Sequence, residues 1–298
     1  MKQIIDGGFI AMLENRDLHI KKPMKGLFGG NRRTSSYGSS AEFADYREYT
    51  PGDDLRRIDW NLYGRFDKLF LKLFVDERQL HHRIYIDSSA SMDWGEPSKA
   101  ETALKLACAL GYLSVQAMDR VSLYAIHEDS CEPVGRTIVG KDAFYDVAEE
   151  LNDMDFWGDG RIGEAISSLE SPGEGDGVSV IISDFLTDSD WKGAVDFLLY
   201  HGHEVNLIQV LSRDEITPSL RGKLLMLDSE AYDEEDGRNY KLEVSKTSLR
   251  AYEEAFLYHQ RQLRSFCASR EVGFITVCSD ESIEKMLFQK ATGEGFIQ

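Results

Sequence analysis

From residue 82 onward the chain alternates short apolar runs with longer amphipathic ones. Segment 83–88, "RIYIDS", places Ile84 and Ile86 two apart and reads as a strand. Segment 98–118, "SKAETALKLACALGYLSVQAM", is an Ala-rich helix, apolar nearly all round and therefore packed on more than one side. Ser98, with Glu101 three residues on, gives it the signature of a capping box. A strand follows at 120–127, then a short hairpin closed by "TIVG" at 137–140 and an amphipathic helix at 141–154. A shorter helix over 160–170 and a Gly-rich turn at 171–177 lead into the strand "VSVIISDF", 178–185. Next come a helix at 191–202, a strand at 204–211, a hairpin over 223–244 and a long helix near 246–270. Leu249, Tyr252, Phe256, Leu263 and Phe266 give that long helix one apolar face. A strand at 273–279 and a final helix complete the chain.

Strands alternating with helices imply a mostly parallel sheet covered on both faces. With right-handed crossovers the result is a doubly wound α/β domain. Residues 1–80 lack this alternation. They hold scattered apolar pieces and the dense polar stretch "YREYTPGDDLRRIDWNLYGR", which reads as an irregular, β-containing N-terminal extension. The expected division is therefore 1–80 for the extension and 81–298 for the α/β domain.

Composition narrows the function classes. The 298 residues are 42% hydrophobic, enough for a sizeable core, and the net charge of −18 argues against sequence-wide binding to nucleic acid or an anionic membrane. The charge is uneven. Residues 1–80 hold 14 Lys+Arg against 12 Asp+Glu, a net of +2 that leaves −20 for the rest. The early basic residues cluster around the Gly/Ser-rich stretch 26–40, which reads as a solvated loop. Cys108, Cys131, Cys267 and Cys278 form no C-x-x-C pair and no disulfide framework, which favours a reducing compartment. The N-terminal apolar run is broken by Asp6, and no stretch reaches the roughly 18 apolar residues of a membrane span. The expected location is the cytoplasm.

The chemistry concentrates where two strands end. Asp87 and Asp184 each follow an apolar run, and doubly wound folds gather ligands at the carboxyl ends of their strands. Asp87, Ser89 and Ser91 also form a D-x-S-x-S segment. Two readings stand side by side. One is a turn whose hydroxyls satisfy free backbone donors at a helix start. The other is a site for a hard cation, Mg²⁺ or Mn²⁺, which accepts carboxylate, hydroxyl and water oxygens. In that second reading Asp87, Ser89 and Ser91 bind directly, Asp184 binds directly or through water, and one position stays open to a partner's carboxylate.

Other motifs carry less. "GRTIVGKD" (135–142) lacks the Ser or Thr of a phosphate-binding loop and suits a strand. "GDGRIG" (158–163) has no strand just upstream and reads as a loop leading into a helix. His81, His82, His201 and His203 flank strands without zinc-type partners and read as solvated strand edges. The acidic run 233–236 reads as a hairpin tip.

"IDSSASM" after an apolar strand resembles the metal-ion-dependent adhesion site of von Willebrand factor A domains. "REYTPGDDLRRIDWNLYGR" (47–65) resembles the signature of a bacterial family catalogued as domain of unknown function 58. The matching positions are Arg47, Tyr49, Pro51, Gly52, Asp53, Asp54, Arg56, Ile58, Asp59, Trp60 and Arg65. The resemblance implies a von Willebrand A-like fold and association with MoxR-type AAA+ ATPases, thought to act as chaperones in maturing protein complexes. It also implies a threonine ligand from a loop before a helix; here that loop is "GDGRIGEAI", with Gly160 at the threonine position and Asp159 beside it. The combined expectation is a non-enzymatic interaction module that presents Mg²⁺ to a MoxR-type ATPase or its client. A Mg²⁺-dependent phosphoester hydrolase and a metal-free scaffold are the alternatives. The Pro-Gly turn and the Asp and Arg residues of 47–65 read as a self-satisfied salt-bridged structure. Trp60 is expected to be a buried aromatic docking the extension.

Overall fold

The computed structural model describes residues 4–16, 42–51, 53–75, 80–169, 177–218, 222–226 and 240–286. The Gly/Ser-rich stretch 26–40 and the acidic run 233–236 lie outside them. The chain divides into two compact units, Met1–Gly30 with Leu80–Gln298, and Asn31–Gln79. The division differs from a boundary at residue 80 in one respect. The first helix, α1 (Gly7–Arg16), belongs with the α/β domain. Ile5 and Leu13 lie in its core, and the Asn152 side-chain oxygen accepts from the Ile4 and Ile5 amides at 3.0 and 2.8 Å.

In the smaller unit β1 (Glu42–Glu48) precedes α2 (Trp60–Phe66), and β2 (Phe70–Val75) returns antiparallel to β1. Aspartates organise the connection. Asp53 accepts from the Thr50 amide at 2.9 Å, the Thr50 hydroxyl at 2.8 Å and the Arg47 guanidinium at 2.8 Å. Those donors hold its carboxyl down to about 2. Asp54 accepts from the Arg56 amide, and Asp59 caps α2 through the Asn61 and Leu62 amides. The polar signature thus satisfies its own turns. Trp60 departs from its expected role: it is 63% exposed. The Asp59 cap starts the helix at Trp60, and positions 60 and 63 then share a face on which both rings are exposed.

The larger unit continues with β3 (His81–Asp87), α3 (Lys99–Gln116), β4 (Arg120–His127), β5 (Ser130–Ile138), α4 (Lys141–Asn152), α5 (Ile162–Ser167) and β6 (Gly177–Ser183). It proceeds through α6 (Trp191–Tyr200), β7 (His203–Leu211), α7 (Arg213–Ile216), β8 (Gly222–Met226), β9 (Tyr240–Val244), α8 (Lys246–Ser269), β10 (Gly273–Cys278) and α9 (Ile283–Lys285). Six strands form one sheet in the order β10-β7-β6-β3-β4-β5, all parallel except β5. β8 and β9 form the separate hairpin expected at 223–244. The sheet is doubly wound, and its strand order reverses between β3 and β6. Side-chain alternation feeds two cores: Ile84 and Ile86 join the layer with Leu104 and Leu110, and Tyr85 joins the layer with Trp191 and Leu263.

Several local expectations shift. β5 runs from Ser130 rather than 137, because its polar residues pair at a sheet edge where only backbone bonding is required. Ser98 caps α3, but the Glu101 carboxylate pairs with Lys105 at 2.6 Å instead of closing a capping box. α8 buries Gln260, Leu263 and Cys267, while Tyr252 on the expected apolar face is 38% exposed. His82 and His203 are buried, not solvated, and bond Asp119 at 3.0 Å and Ser179 at 2.8 Å. Among the described residues no helix is long and apolar enough to cross a membrane.

Candidate functional site

The reversal point between β3 and β6 brings together the two aspartates singled out at the strand ends. β3 ends on Asp87, β6 ends on Ser183, and Asp184 follows. Both carboxylates are buried, at 2% and 3% exposure. After Asp87 the chain leaves the sheet through Ser88 and Ser89 into a single 3-10 turn, Ala90–Met92. A second loop is stitched to this one: the Ala90 amide donates to the Gly158 carbonyl at 3.0 Å, and the Trp157 amide to the Ser88 carbonyl at 2.9 Å.

The hydroxyls do not cap the turn. Ser89 stands at its start yet makes no side-chain cap bond. Its Oγ lies 3.1 Å from Ser91 Oγ, and Ser91 Oγ lies 3.4 Å from Asp184 Oδ2. Asp87, Ser89, Ser91 and Asp184 are therefore all at one place, with the two hydroxyls turned toward each other and toward Asp184 rather than toward backbone donors. The donor set is that of a hard, oxygen-ligated cation, and on the Asp87 side it fits one. Among the described residues no group of three or more His, Cys, Asp or Glu side chains forms a metal-ligand cluster, so the hydroxyls are essential to any such fit.

Gly160 borders the same oxygens. A Cβ on it would stand 3.2 Å from Asp87 Oδ1 and from Ser89 Oγ. Its carbonyl accepts from the Thr187 hydroxyl at 2.9 Å. The Asp159 carboxylate lies 3.5 Å from the Arg161 guanidinium.

Three residues that sequence patterning did not single out complete the arrangement. Ser183 Oγ donates to Asp87 Oδ2 at 2.6 Å and accepts from the Phe185 amide at 2.9 Å. Lys99, the first residue of α3 and 1% exposed, donates to Asp184 Oδ2 and to Glu215 Oε1, each at 2.6 Å. The second Glu215 oxygen accepts from the Ser212 amide at 2.7 Å, within the capping box of α7. One signal for Lys99 was available: a cation at the positive end of a helix opposes the helix dipole and needs a specific anionic partner.

Burial, then the nearby Asp184 charge, raise the Asp87 carboxyl above its ordinary range. Burial opposes the Lys99 charge, but Asp184 and Glu215 outweigh it and hold that ammonium above its usual value. Phe185, fully buried, adopts the left-handed conformation (φ 54°) and packs edge-on against Trp191. The Leu186 amide then closes back on Asp184 Oδ1 at 2.9 Å, and Gln209 holds the Asp184 carbonyl at 2.9 Å. The rim of the site is apolar and open, with Trp94 57%, Trp157 45% and Leu186 44% exposed. Beside it lies a cavity of about 570 Å³ whose lining includes Asp93, Glu101, Asp155 and Phe156.

A family model described as "Protein of unknown function DUF58" matches residues 45–262. Uncharacterized proteins of Mycobacterium bovis and Mycobacterium tuberculosis are 28% identical over 235 residues, covering 76% of this chain and 73% of theirs. Among solved structures, an aerotolerance-related membrane protein from Bacteroides fragilis carrying multiple mutations to serines is similar at 17% identity and a TM-score of 0.41. That match covers 71% of this chain and 98% of the other. The SpRpn10 VWA domain is similar at 10% identity and a TM-score of 0.41, covering 74% of this chain and 100% of that one.

Proposed function

The chain belongs to the DUF58 family, and from that premise we propose that it is a non-enzymatic protein-interaction module of the von Willebrand A type. Its contact face is the carboxyl edge of the doubly wound sheet. The observation that carries this reading is the rim: exposed Trp94 and Leu186 come from the two loops that carry Asp87, Ser89, Ser91 and Asp184, and exposed Trp157 from the loop bonded to the first of them. Exposed tryptophans around a small polar centre are the composition of a binding hot spot.

In this reading Asp87, Ser89, Ser91 and Asp184 hold Mg²⁺ or Mn²⁺, and the ion supplies positive charge for an acidic group of the partner. A chain with a net charge of −18 has little long-range attraction for an acidic protein, so local positive charge at the contact matters. The partner proposed is a MoxR-type AAA+ ATPase or its client, on the family resemblance, and the setting is the cytoplasm, in keeping with four free cysteines. The phosphoester hydrolase reading is less well supported. Asp93, Glu101 and Asp155 line the adjoining cavity and would repel an anionic substrate, and the Lys99 ammonium is already engaged. The metal-free scaffold reading draws on that same Lys99 contact.

Co-purification with a MoxR-type ATPase tests the proposal. Complex formation should require Mg²⁺, fall with Asp87→Ala, Asp184→Ala or Trp94→Ala, and persist in Ser269→Ala at the far end of α8. Association indifferent to chelator and to all three substitutions would place the contact on another surface. Turnover of a phosphate ester that disappears in the aspartate variants would establish the hydrolase instead.

A further inference from the structure

We propose that Lys99 is the resident cation of this site: its ammonium holds Asp184 and Glu215 in place of a divalent ion and keeps the wild-type affinity for Mg²⁺ low. The inference rests on the reading of Asp87, Ser89, Ser91 and Asp184 as a hard-cation face.

The position of Lys99 is unfavourable on every count but one. It is 1% exposed, it opens an 18-residue helix, and the N-terminus of a helix repels a cation. Burial of an ammonium is costly unless it is paired and hydrogen-bonded. The two carboxylates at 2.6 Å are what satisfy it.

The oxygen Lys99 takes is the one an ion would need. Asp184 Oδ2 is the carboxylate oxygen that the Ser91 hydroxyl approaches, at 3.4 Å, and it carries the bond to Lys99 Nζ. The other oxygen, Oδ1, accepts from the Leu186 amide. Asp184 therefore has both oxygens engaged before any ion arrives. On the opposite side Gly160 contributes no side-chain ligand, so Asp87 is the one carboxylate left without a cationic partner in the cluster.

Charge counting gives the direction. Asp87, Asp184 and Glu215 with Lys99 carry two net negative charges when all are ionised; without the ammonium they carry three. Divalent-ion affinity rises with ligand charge count. Removing the ammonium while keeping the side-chain volume should thus open the site to the ion and leave the apo protein with unpaired buried carboxylates.

The test uses the purified full chain, MgCl2 as the probe, and calorimetric titration together with thermal melting in EDTA and in millimolar Mg²⁺. Lys99→Met should bind Mg²⁺ at least about tenfold more tightly than wild type. Its melting temperature should lie below wild type in EDTA and rise with Mg²⁺ by more than wild type does. Adding Asp87→Asn to Lys99→Met should remove that response. Should Lys99→Met not yield folded protein, Lys99→Gln also removes the positive charge, keeps an amide donor for Asp184 and Glu215, and carries the same comparison. Binding confined to the variant upholds the role of Lys99 and restricts the wild-type face to metal-free contacts. Equal affinity in wild type and variant overturns the inference and leaves the metal reading standing. Absence of binding in both overturns the two together.

Discussion

Ser183→Ala probes how dry the carboxyl edge of the sheet is. The Ser183 hydroxyl is fully buried and serves two neighbours, donating to Asp87 Oδ2 at 2.6 Å and accepting from the Phe185 amide at 2.9 Å. Alanine fits the space, so no packing is lost beyond one oxygen. The Asp87 carboxyl loses a bond to a group that is ionisable and buried, worth about 1.5–3 kcal/mol. The Phe185 amide loses its acceptor, and an orphaned buried donor costs about 1–3 kcal/mol. Partial relaxation reduces the sum, and about 3 kcal/mol is the expected loss. At roughly 2–4 °C per kcal/mol for a domain of this size, the melting temperature should fall by about 6–12 °C. Urea unfolding followed by circular dichroism measures it, with Ser168→Ala as the comparison, since Ser168 is exposed and bonds one carbonyl within its own helix turn. A loss below about 0.5 kcal/mol for Ser183→Ala would refute the reasoning. Water would then be replacing the hydroxyl, and Asp87 would be reachable from solvent through this side.

Gly160→Thr, which restores the residue type expected of an adhesion-type site, should destabilise by about 1–3 kcal/mol, read from the urea midpoint. The new Cβ presses on an Asp87 carboxyl already held by Ser183 and by the Ser89 amide; an unchanged midpoint would mean the 158–160 loop yields. Trp60→Ala should alter stability by less than about 1 kcal/mol, because the ring is exposed and its one described ring contact is the edge-on Tyr63. A large drop in the same measurement would mean the ring is covered in solution. His81 supplies a pH dependence: burial, then Arg83 and Arg120, lower it to about 4 in the folded protein. Its contribution to stability is present above the unfolded value near 6.5 and is lost as pH falls toward 4. Melting curves of wild type and His81→Gln between pH 7 and 4.5 should therefore show a steeper acid loss for wild type; parallel curves would discount the histidine.

The parts of the molecule that patterning made legible are those decided within a few residues. Ile84, Ile86 and the run 180–182 are apolar because both faces of the sheet are covered, and the first polar residue after each run marks a strand end. Asp87 and Asp184 were visible for that reason. The contacts that finish the site are not local. Ser183 meets Asp87 across 96 positions, and Lys99 meets Glu215 across 116. Burial of a lysine violates the usual residue preference, so only its place at the wrong end of a helix dipole hinted at it. β5 is only half legible because Glu132, Pro133 and Arg136 carry no apolar alternation. The exposure of Trp60 is not legible, because a large aromatic beside a Pro-Gly turn has no sequence mark of whether it faces inward.

The placement of α1 with the α/β domain has a consequence for how the protein is made. The smaller unit, Asn31–Gln79, is an insert: the chain leaves the larger domain before it and rejoins that domain after it. During synthesis the first helix emerges from the ribosome well before Asn152, the side chain that receives its leading amides. The segment that carries Ile5 and Leu13 therefore stays without this anchor until half of the six sheet strands, β3, β4 and β5, have been translated. The insert, whose strands pair with each other, has no such wait. A nascent chain halted just after residue 80 should hold the insert ready to fold while its own first helix is still a hydrophobic segment in search of a surface.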